Sequence, residues 1–237
     1  MAGALRAVLF DVDGTLTDSA DLIKKTIAGV MRRNTGGDWP DHAFSRYVGP
    51  PLEDTFADLG VPPEKIDDYI DDYRQHYHAI METTALFAGI PKLLSDVKAH
   101  GLATVTATTK GEESAREILS ITGIDHFFDA IAGSETATGR THKHQVVDRA
   151  LTLLEQAQLL DAGNRYPVMP LGTRWDERQT RTDVVMVGDR DFDTDGAAVH
   201  GIRTILVDWG EGSAQEHANA WRHVHTIEEL TSLLVSL

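Results

Sequence analysis

Five short apolar runs, at residues 5–10, 102–107, 129–132, 183–187 and 202–207, are separated by stretches with helical spacing. Each run is mostly β-branched or apolar and only four to six residues long. That is the form of a strand buried on both faces. Strands that alternate with helices return to the same sheet by crossovers, which makes neighbouring strands parallel. The fold class that follows is α/β.

The alternation breaks between residues 16 and 88, where about seventy residues pass without a convincing strand. A simple crossover needs only a dozen or so, which predicts a helical insert. Ser19 is placed to cap a helix running towards Arg33, with Gly36 and Gly37 as its stop. Pro51 can open another that ends near Gly60. Ile66, Tyr69, Ile70, Tyr73, Tyr77, Ile80 and Met81 form an apolar stripe at helical spacing, and Asp67, Asp68, Asp71 and Asp72 fill the opposite, solvated face. The expected division is a core of residues 1–15 and 89–237 with an inserted unit at 16–88. A second irregularity, residues 161–182, carries Gly163, Pro167, Pro170 and Gly172 and has no clear period. A segment entering a parallel strand lies at the amino end of the sheet, away from the ligand edge. Tyr166, Met169 and Trp175 are therefore expected to serve packing or a subunit contact.

Charge narrows the partners. The 237 residues contain 22 Lys and Arg against 37 Asp and Glu, a formal charge of −15, which repels a nucleic-acid backbone and an anionic membrane surface. The insert alone has 13 acidic and 7 basic residues, which disfavours long polyanionic substrates. There is no cysteine, so disulfides, thiolate metal sites and cysteine nucleophiles are excluded. No stretch approaches the length of a membrane span, and the apolar run at the amino end is too short for a secretory signal, so a cytoplasmic location is expected.

The first run ends in Asp11-Val12-Asp13-Gly14-Thr15, two carboxylates one residue apart followed by a glycine that permits a sharp turn. Such a pair suits a hard cation such as Mg²⁺, or an attack on an electrophile by one group while the other handles a proton. The run at 183–187 leads into Gly188-Asp189-Arg190-Asp191-Phe192-Asp193 in the same style. A calcium loop fits poorly, because the position for a bidentate Glu is Ile202 and a strand precedes the loop. Both acidic loops fall at carboxyl ends of parallel strands, where an open α/β sheet forms its ligand crevice. Phosphate binding there also needs hydroxyl, amide and cationic groups. Thr108, Thr109 and Lys110 follow the second run, and Lys143 opens a helical pattern after Gly139-Arg140-Thr141-His142.

This order of motifs resembles the haloacid dehalogenase superfamily of phosphohydrolases over nearly the whole chain. The resemblance implies a Rossmann-like parallel sheet core with an inserted all-helical cap domain of the C1 type. The stretch from Asp11 to Ser19, the Gly49-Pro50-Pro51-Leu52 turn and Gly188-Asp189-Arg190 are similar to the phosphoglycolate phosphatase-like branch. It further implies Asp11 as nucleophile and Asp13 as acid and base. Thr108 and Lys143, with Gly14 and Thr109, would bind the phosphoryl group. Asp11, the Asp13 carbonyl and Asp189 would hold Mg²⁺, with Asp193 supporting that loop. Phosphoryl transfer asks mainly for positioning and charge neutralisation, which such a set supplies.

The expected function is a Mg²⁺-dependent phosphatase of small phosphorylated metabolites, working through an aspartyl-phosphate, as a monomer or homodimer. Arg46, Tyr47 and the Gly49-Pro50-Pro51 turn are the expected substrate-reading elements, with Arg46 on the substrate. A 5'-nucleotidase is the alternative, and a catalytically silent metal-binding module a reading from another class. A phosphosugar mutase is disfavoured because Val48 and Leu52 replace the Lys and Arg those enzymes carry around the cap-loop glycine. Lys24 and Lys25 sit in no context for a Schiff base. His76 and His78 are two apart on a helix and cannot pair on one face, and His142 and His144 read as loop residues.

Overall fold

The structure, a computed structural model, describes residues 4–163, 168–170 and 181–237. The chain begins with β1 (Ala7–Phe10) and β2 (Thr17–Asp18), continues through helices α1 (Ala20–Thr35), α2 (Leu52–Asp58) and α3 (Ile66–His78), and returns at β3 (Ala85–Leu86). There follow α4 (Ile90–Ala99), β4 (Ala103–Thr106), α5 (Glu112–Ile121), α6 (Lys143–Gln156) and β5 (Val184–Gly188). The last elements are α7 (Asp191–Ala198), β6 (Arg203–Val207), α8 (Ala214–His217), β7 (Arg222–Val224) and α9 (Ile227–Ser236).

Five strands make one sheet in the order β4-β1-β5-β6-β7, parallel throughout. The helical coverage on both faces explains the apolar runs. Along β1, Val8 and Phe10 enter one core cluster and Ala7 and Leu9 the other, as side-chain alternation requires. The second cluster is completed by Val146, Val147, Ala150, Leu151 and Leu154 of α6. The first takes in the insert, with Ile27 and Val30 of α1 and Tyr69 and Tyr73 of α3. The expected helix over 66–81 is thus observed, although Ile80 is exposed and falls beyond its end.

Four expectations change. Residues 129–132 are too short a pairing to make a sixth full strand, but they run parallel along the β4 edge, with backbone hydrogen bonds from Asp129 to Thr104, Thr106 to Ala130 and Thr108 to Ala132 and a bridge between Val105 and Ala130. The edge at the other side is β7, whose Arg222, His223 and Val224 lack the apolar signature of a buried strand. The segment 16–88 is not purely helical, because β2 and β3 pair antiparallel where the chain leaves and re-enters the core. Ser19 stands at the N-cap of α1 but makes no side-chain cap. Tyr166 and Trp175 lie outside the described residues, while the Met169 amide donates to the Val199 carbonyl, at the amino end of β6.

Because all five strands are parallel, β1, β4, β5 and β6 open their carboxyl ends on one edge. β1 is flanked by β4 and β5, so the chain runs outward in opposite directions from its two sides, the topology that leaves a crevice above the sheet. One contact fixes the approach of α6 to α7. A Cβ added at Gly196 would stand 2.4 Å from Lys143 Cγ and 3.1 Å from the His144 amide nitrogen. Gly196→Ala is therefore expected to lower stability by about 1–3 kcal/mol through overpacking, read as a lower urea midpoint with an unchanged slope.

Candidate active site

The crevice is built around one buried ammonium. Lys143, the first residue of α6, reaches Asp193 Oδ1 at 2.6 Å and Asp11 Oδ1 at 3.0 Å, and donates to the Ala107 carbonyl at 2.9 Å. The ends of β1 and β4 and the first turn of α7 thereby meet on a single side chain. Burial alone would lower its affinity for the proton, but the Asp11 and Asp193 carboxylates outweigh that and hold the ammonium above its ordinary value.

One lysine does not neutralise what surrounds it. Asp11, Asp189 and Asp193 are all buried, and one oxygen from each lies within 4.8 Å of the others. Burial, opposed by Lys143 and aided by Asp193 and Asp13, pushes the Asp11 carboxyl up to about 6. Burial and then the charges of Asp193 and Asp11 raise Asp189 well above the carboxylate range. Asp189 Oδ2 accepts the Glu211 amide at 2.8 Å, while its Oδ1 is buried with no hydrogen-bond partner among the described residues. An all-oxygen cluster with an orphaned carboxylate oxygen and excess negative charge fits a hard divalent cation. Asp193 is also a structural anchor, since its Oδ2 accepts the amides of Asp189 and Arg190, each at 3.1 Å. Gly14 has φ of +79° and a Cβ there would fall 2.4 Å from Asp189 Oδ2, so only glycine lets the first loop lie against the second.

Asp13 is held apart from this cluster. Ser19 donates to its Oδ1 at 2.6 Å, and Lys110 Nζ stands 3.0 Å from its Oδ2. The hydroxyl of Ser19 is thus a positioning group for Asp13. Lys110 lies in the Ala107-Thr108-Thr109-Lys110 run, but a lysine four residues past a strand carries no sequence signal of its own role. Its ammonium rests 4.1 Å from the centre of the Tyr77 ring and donates to the Tyr77 hydroxyl at 3.1 Å. Burial opposes its charge, and Asp13, Tyr77 and Tyr73 more than compensate. Tyr73 and Tyr77 stack at 5.6 Å, so the apolar stripe of α3 also roofs the site.

A cavity of about 80 Å³ lies between the sheet edge and this roof, and Asp11, Asp13, Thr108, Thr109, Lys110 and Arg74 are among its walls. Thr108 is buried and its hydroxyl accepts the Lys110 amide at 3.2 Å. The Thr109 hydroxyl donates to the Gly49 carbonyl at 2.6 Å, tying β4's loop to the helical insert. Arg190 makes the second tie, donating to the Val48 carbonyl while paired with Glu216 at 2.8 Å. The Gly49-Pro50-Pro51 turn is therefore held over the site, as expected. Arg46 is not brought there: it is exposed, pairs with Asp58 at 2.6 Å and contacts Tyr47. The arginine that the insert presents to the cavity is Arg74, which sits on the face of α3 that the sequence assigns to solvent. His142 and His144 stack on one another and take no part in the cavity walls.

A family model for haloacid dehalogenase-like hydrolases matches residues 8–163, and a second model for such hydrolases matches 139–233. The tyrosine-protein kinase PtkA of Mycobacterium tuberculosis is 36% identical over 233 residues, covering 96% of this chain and 72% of that protein. A 5'-nucleotidase of Pseudomonas aeruginosa is 31% identical over 229 residues, covering 95% and 92%. The crystal structure of a predicted phosphatase from Clostridium acetobutylicum superposes with a TM-score of 0.84 at 29% identity, over 99% of this chain and 100% of the other. The chain belongs to the haloacid dehalogenase-like hydrolase family.

Proposed function

We propose that the protein is a Mg²⁺-dependent phosphatase of small phosphate monoesters, with Asp11 as nucleophile and Asp13 as acid and base. The observation that carries this reading is the separation of the two carboxylates. Asp11 lies among Lys143, Asp189 and Asp193, whereas Asp13 is held by Ser19 and Lys110. One environment suits attack at phosphorus beside a cation and the other suits proton handling at a leaving oxygen.

In the proposed sequence a carboxylate oxygen of Asp11 forms a bond to phosphorus as the ester oxygen leaves with a proton from Asp13. Asp13, now ionised, takes a proton from water, whose oxygen attacks phosphorus and returns Asp11 as free carboxylate with inorganic phosphate. Thr108, the Gly14 and Thr109 backbone and Lys143 would bind the equatorial oxygens. Mg²⁺, held by Asp11, Asp189 and the Asp13 carbonyl, would neutralise charge on the transferring group, with Asp193 supporting its loop. Lys110 acts through Asp13 and is a positioning residue.

The cavity favours a small substrate, and Arg74 favours one that carries a carboxylate beside its phosphate, as phosphoglycolate does. A nucleoside monophosphate is the second reading, supported by the relative named 5'-nucleotidase. The kinase-named relative makes phosphoryl transfer from ATP to tyrosine a necessary arm of any assay.

Phosphate release from a panel of phosphoglycolate, nucleotides and sugar phosphates tests the reaction. Turnover is expected only with Mg²⁺ and not with EDTA. Asp11→Asn is expected to lose on the order of 10⁴-fold or more in kcat, and Asp13→Asn about 10²–10⁴-fold. Transfer from ATP to tyrosine in place of hydrolysis would overturn the assignment. For the substrate, Arg74→Met is expected to raise KM for phosphoglycolate by about 10- to 100-fold, with p-nitrophenyl phosphate little affected. Equal effects on both would refute a carboxylate contact.

Mg²⁺ binding should also depend on pH. The raised carboxyls of Asp11 and Asp189 let the metal-free folded protein hold more protons than the unfolded chain between the ordinary carboxylate range and about pH 6. Its stability therefore falls as pH rises through that window. Mg²⁺ should reverse this, so the rise in Tm it produces is expected to be large at pH 7.5 and to shrink towards pH 5. A rise independent of pH would show that the ion binds elsewhere.

A further inference from the structure

A second cluster of potential ligands lies on the same edge of the sheet, built from a different kind of donor. Asp208 is the first residue after β6, and its amide donates to the Val224 carbonyl of β7 at 3.1 Å, continuing the strand register. On β7 and just past it, Val224 points into the core, so His223 and His225, one position to either side, share the opposite face. His223 Nε2 donates to Asp208 Oδ1 at 3.0 Å and His225 Nδ1 donates to Asp208 Oδ2 at 2.9 Å. One ligand atom from each of the three residues lies within 4.8 Å of the others.

A third imidazole adjoins them. His217, at the end of α8, is buried and stacks on His223 with ring centres 4.1 Å apart, and His223 meets His225 at 4.6 Å. His217 Nδ1 is 3.5 Å from Asp208 Oδ1, and its Nε2 is buried without a hydrogen-bond partner among the described residues. Burial, then the neighbouring His223, disfavours protonation of His217. An ordinary surface ion pair needs one histidine on an aspartate, whereas three converge here on one carboxylate.

We propose that Asp208, His223 and His225, with His217 beside them, form a binding site for a borderline divalent cation of the Zn²⁺, Co²⁺ or Ni²⁺ class, separate from the Asp11, Asp189 and Asp193 cluster. Imidazole nitrogens with one carboxylate select such ions, while the all-oxygen cluster selects a hard one. Bonds of about 2.0–2.1 Å in a tetrahedral site set neighbouring ligand atoms roughly 3.3 Å apart. The observed 3.0 and 2.9 Å, each to a different oxygen of Asp208, are close to that spacing, and the set of one ligand atom per residue lies within 4.8 Å, so small side-chain shifts bring them onto one ion as it takes the place of the shared protons.

The site's position also gives it a consequence. Asp208 opens the segment 208–212, in which Trp209 Nε1 donates to the Thr15 carbonyl at 3.0 Å and the Glu211 amide donates to Asp189 Oδ2 at 2.8 Å. An ion on Asp208 anchors the base of the loop that holds Asp189 in place.

Co²⁺ titration of the full chain with Mg²⁺ present in excess tests the site, because imidazole-bound Co²⁺ has visible absorption. The expected result is one bound equivalent with visible bands, displaced by Zn²⁺, and a Zn²⁺-dependent rise in Tm. His223→Gln with His225→Gln, and independently Asp208→Asn, should weaken Co²⁺ by about 100-fold or more, while Asp189→Asn keeps the bands. The proposal is overturned if no bands develop, if Asp189→Asn removes them, or if the histidine and Asp208 variants, shown folded by circular dichroism, bind as tightly as the parent. Because the readout is metal binding and not turnover, its failure is distinct from failure of the proposed phosphatase reaction.

Discussion

The architecture of the catalytic edge depends on the placement of the Lys143 ammonium. It is buried against Asp11 and Asp193 and also caps the Ala107 carbonyl, so β1, β4, the α7 turn and α6 converge on one charge. Removing one partner from a buried ionic cluster costs about 3–5 kcal/mol, because the charges left behind can no longer reach water. Here the cluster is also unbalanced. Three buried carboxylates face one lysine, and burial first, then the neighbouring carboxylate charges, raise Asp11 and Asp189 above the ordinary carboxylate value. A protein that keeps such an arrangement stores a demand for a further cation.

The second lysine, Lys110, solves a different problem. It lies between Asp13 and the paired rings of Tyr73 and Tyr77, so the insert contributes a low-polarity roof and the core contributes the charge beneath it. Two hydrogen bonds, from Thr109 to Gly49 and from Arg190 to Val48, join core loops to insert carbonyls. They hold the Gly49-Pro50-Pro51 turn at the mouth of the cavity. The insert is thus tied to the core by contacts to its backbone, while Arg74, at the cavity wall, donates to Thr136 at 3.1 Å.

Much of this was legible in the sequence, and the parts that were not share a cause. Strands buried on both faces announce themselves as apolar runs, and the acidic loops stand out because carboxylates directly after such runs are otherwise costly. The edge strand β7 escapes because only Val224 of its three residues is buried. Arg46 and Arg74 show the same difficulty within the insert. Both are arginines on segments beside the Gly49 turn or the apolar stripe, and nothing local separates the one paired with Asp58 from the one at the cavity. Ser19 occupies an N-cap position by sequence, yet its hydroxyl is drawn to Asp13 because a buried carboxylate is a stronger acceptor demand than an amide at a helix end.

The sequence by itself determined the α/β class, the order of the motifs and the residue types delivered to the strand ends, because periodicity and turn chemistry act over a few neighbouring residues. Only the tertiary structure decided which charges meet. The distances from Lys143 to Asp11 and Asp193, from Lys110 to Asp13 and from Asp208 to His223 and His225 span from 15 to well over 100 positions along the chain. Electrostatic pairing depends on separation in space and on burial, and both are set by how the sheet orders its strands, which no local pattern encodes.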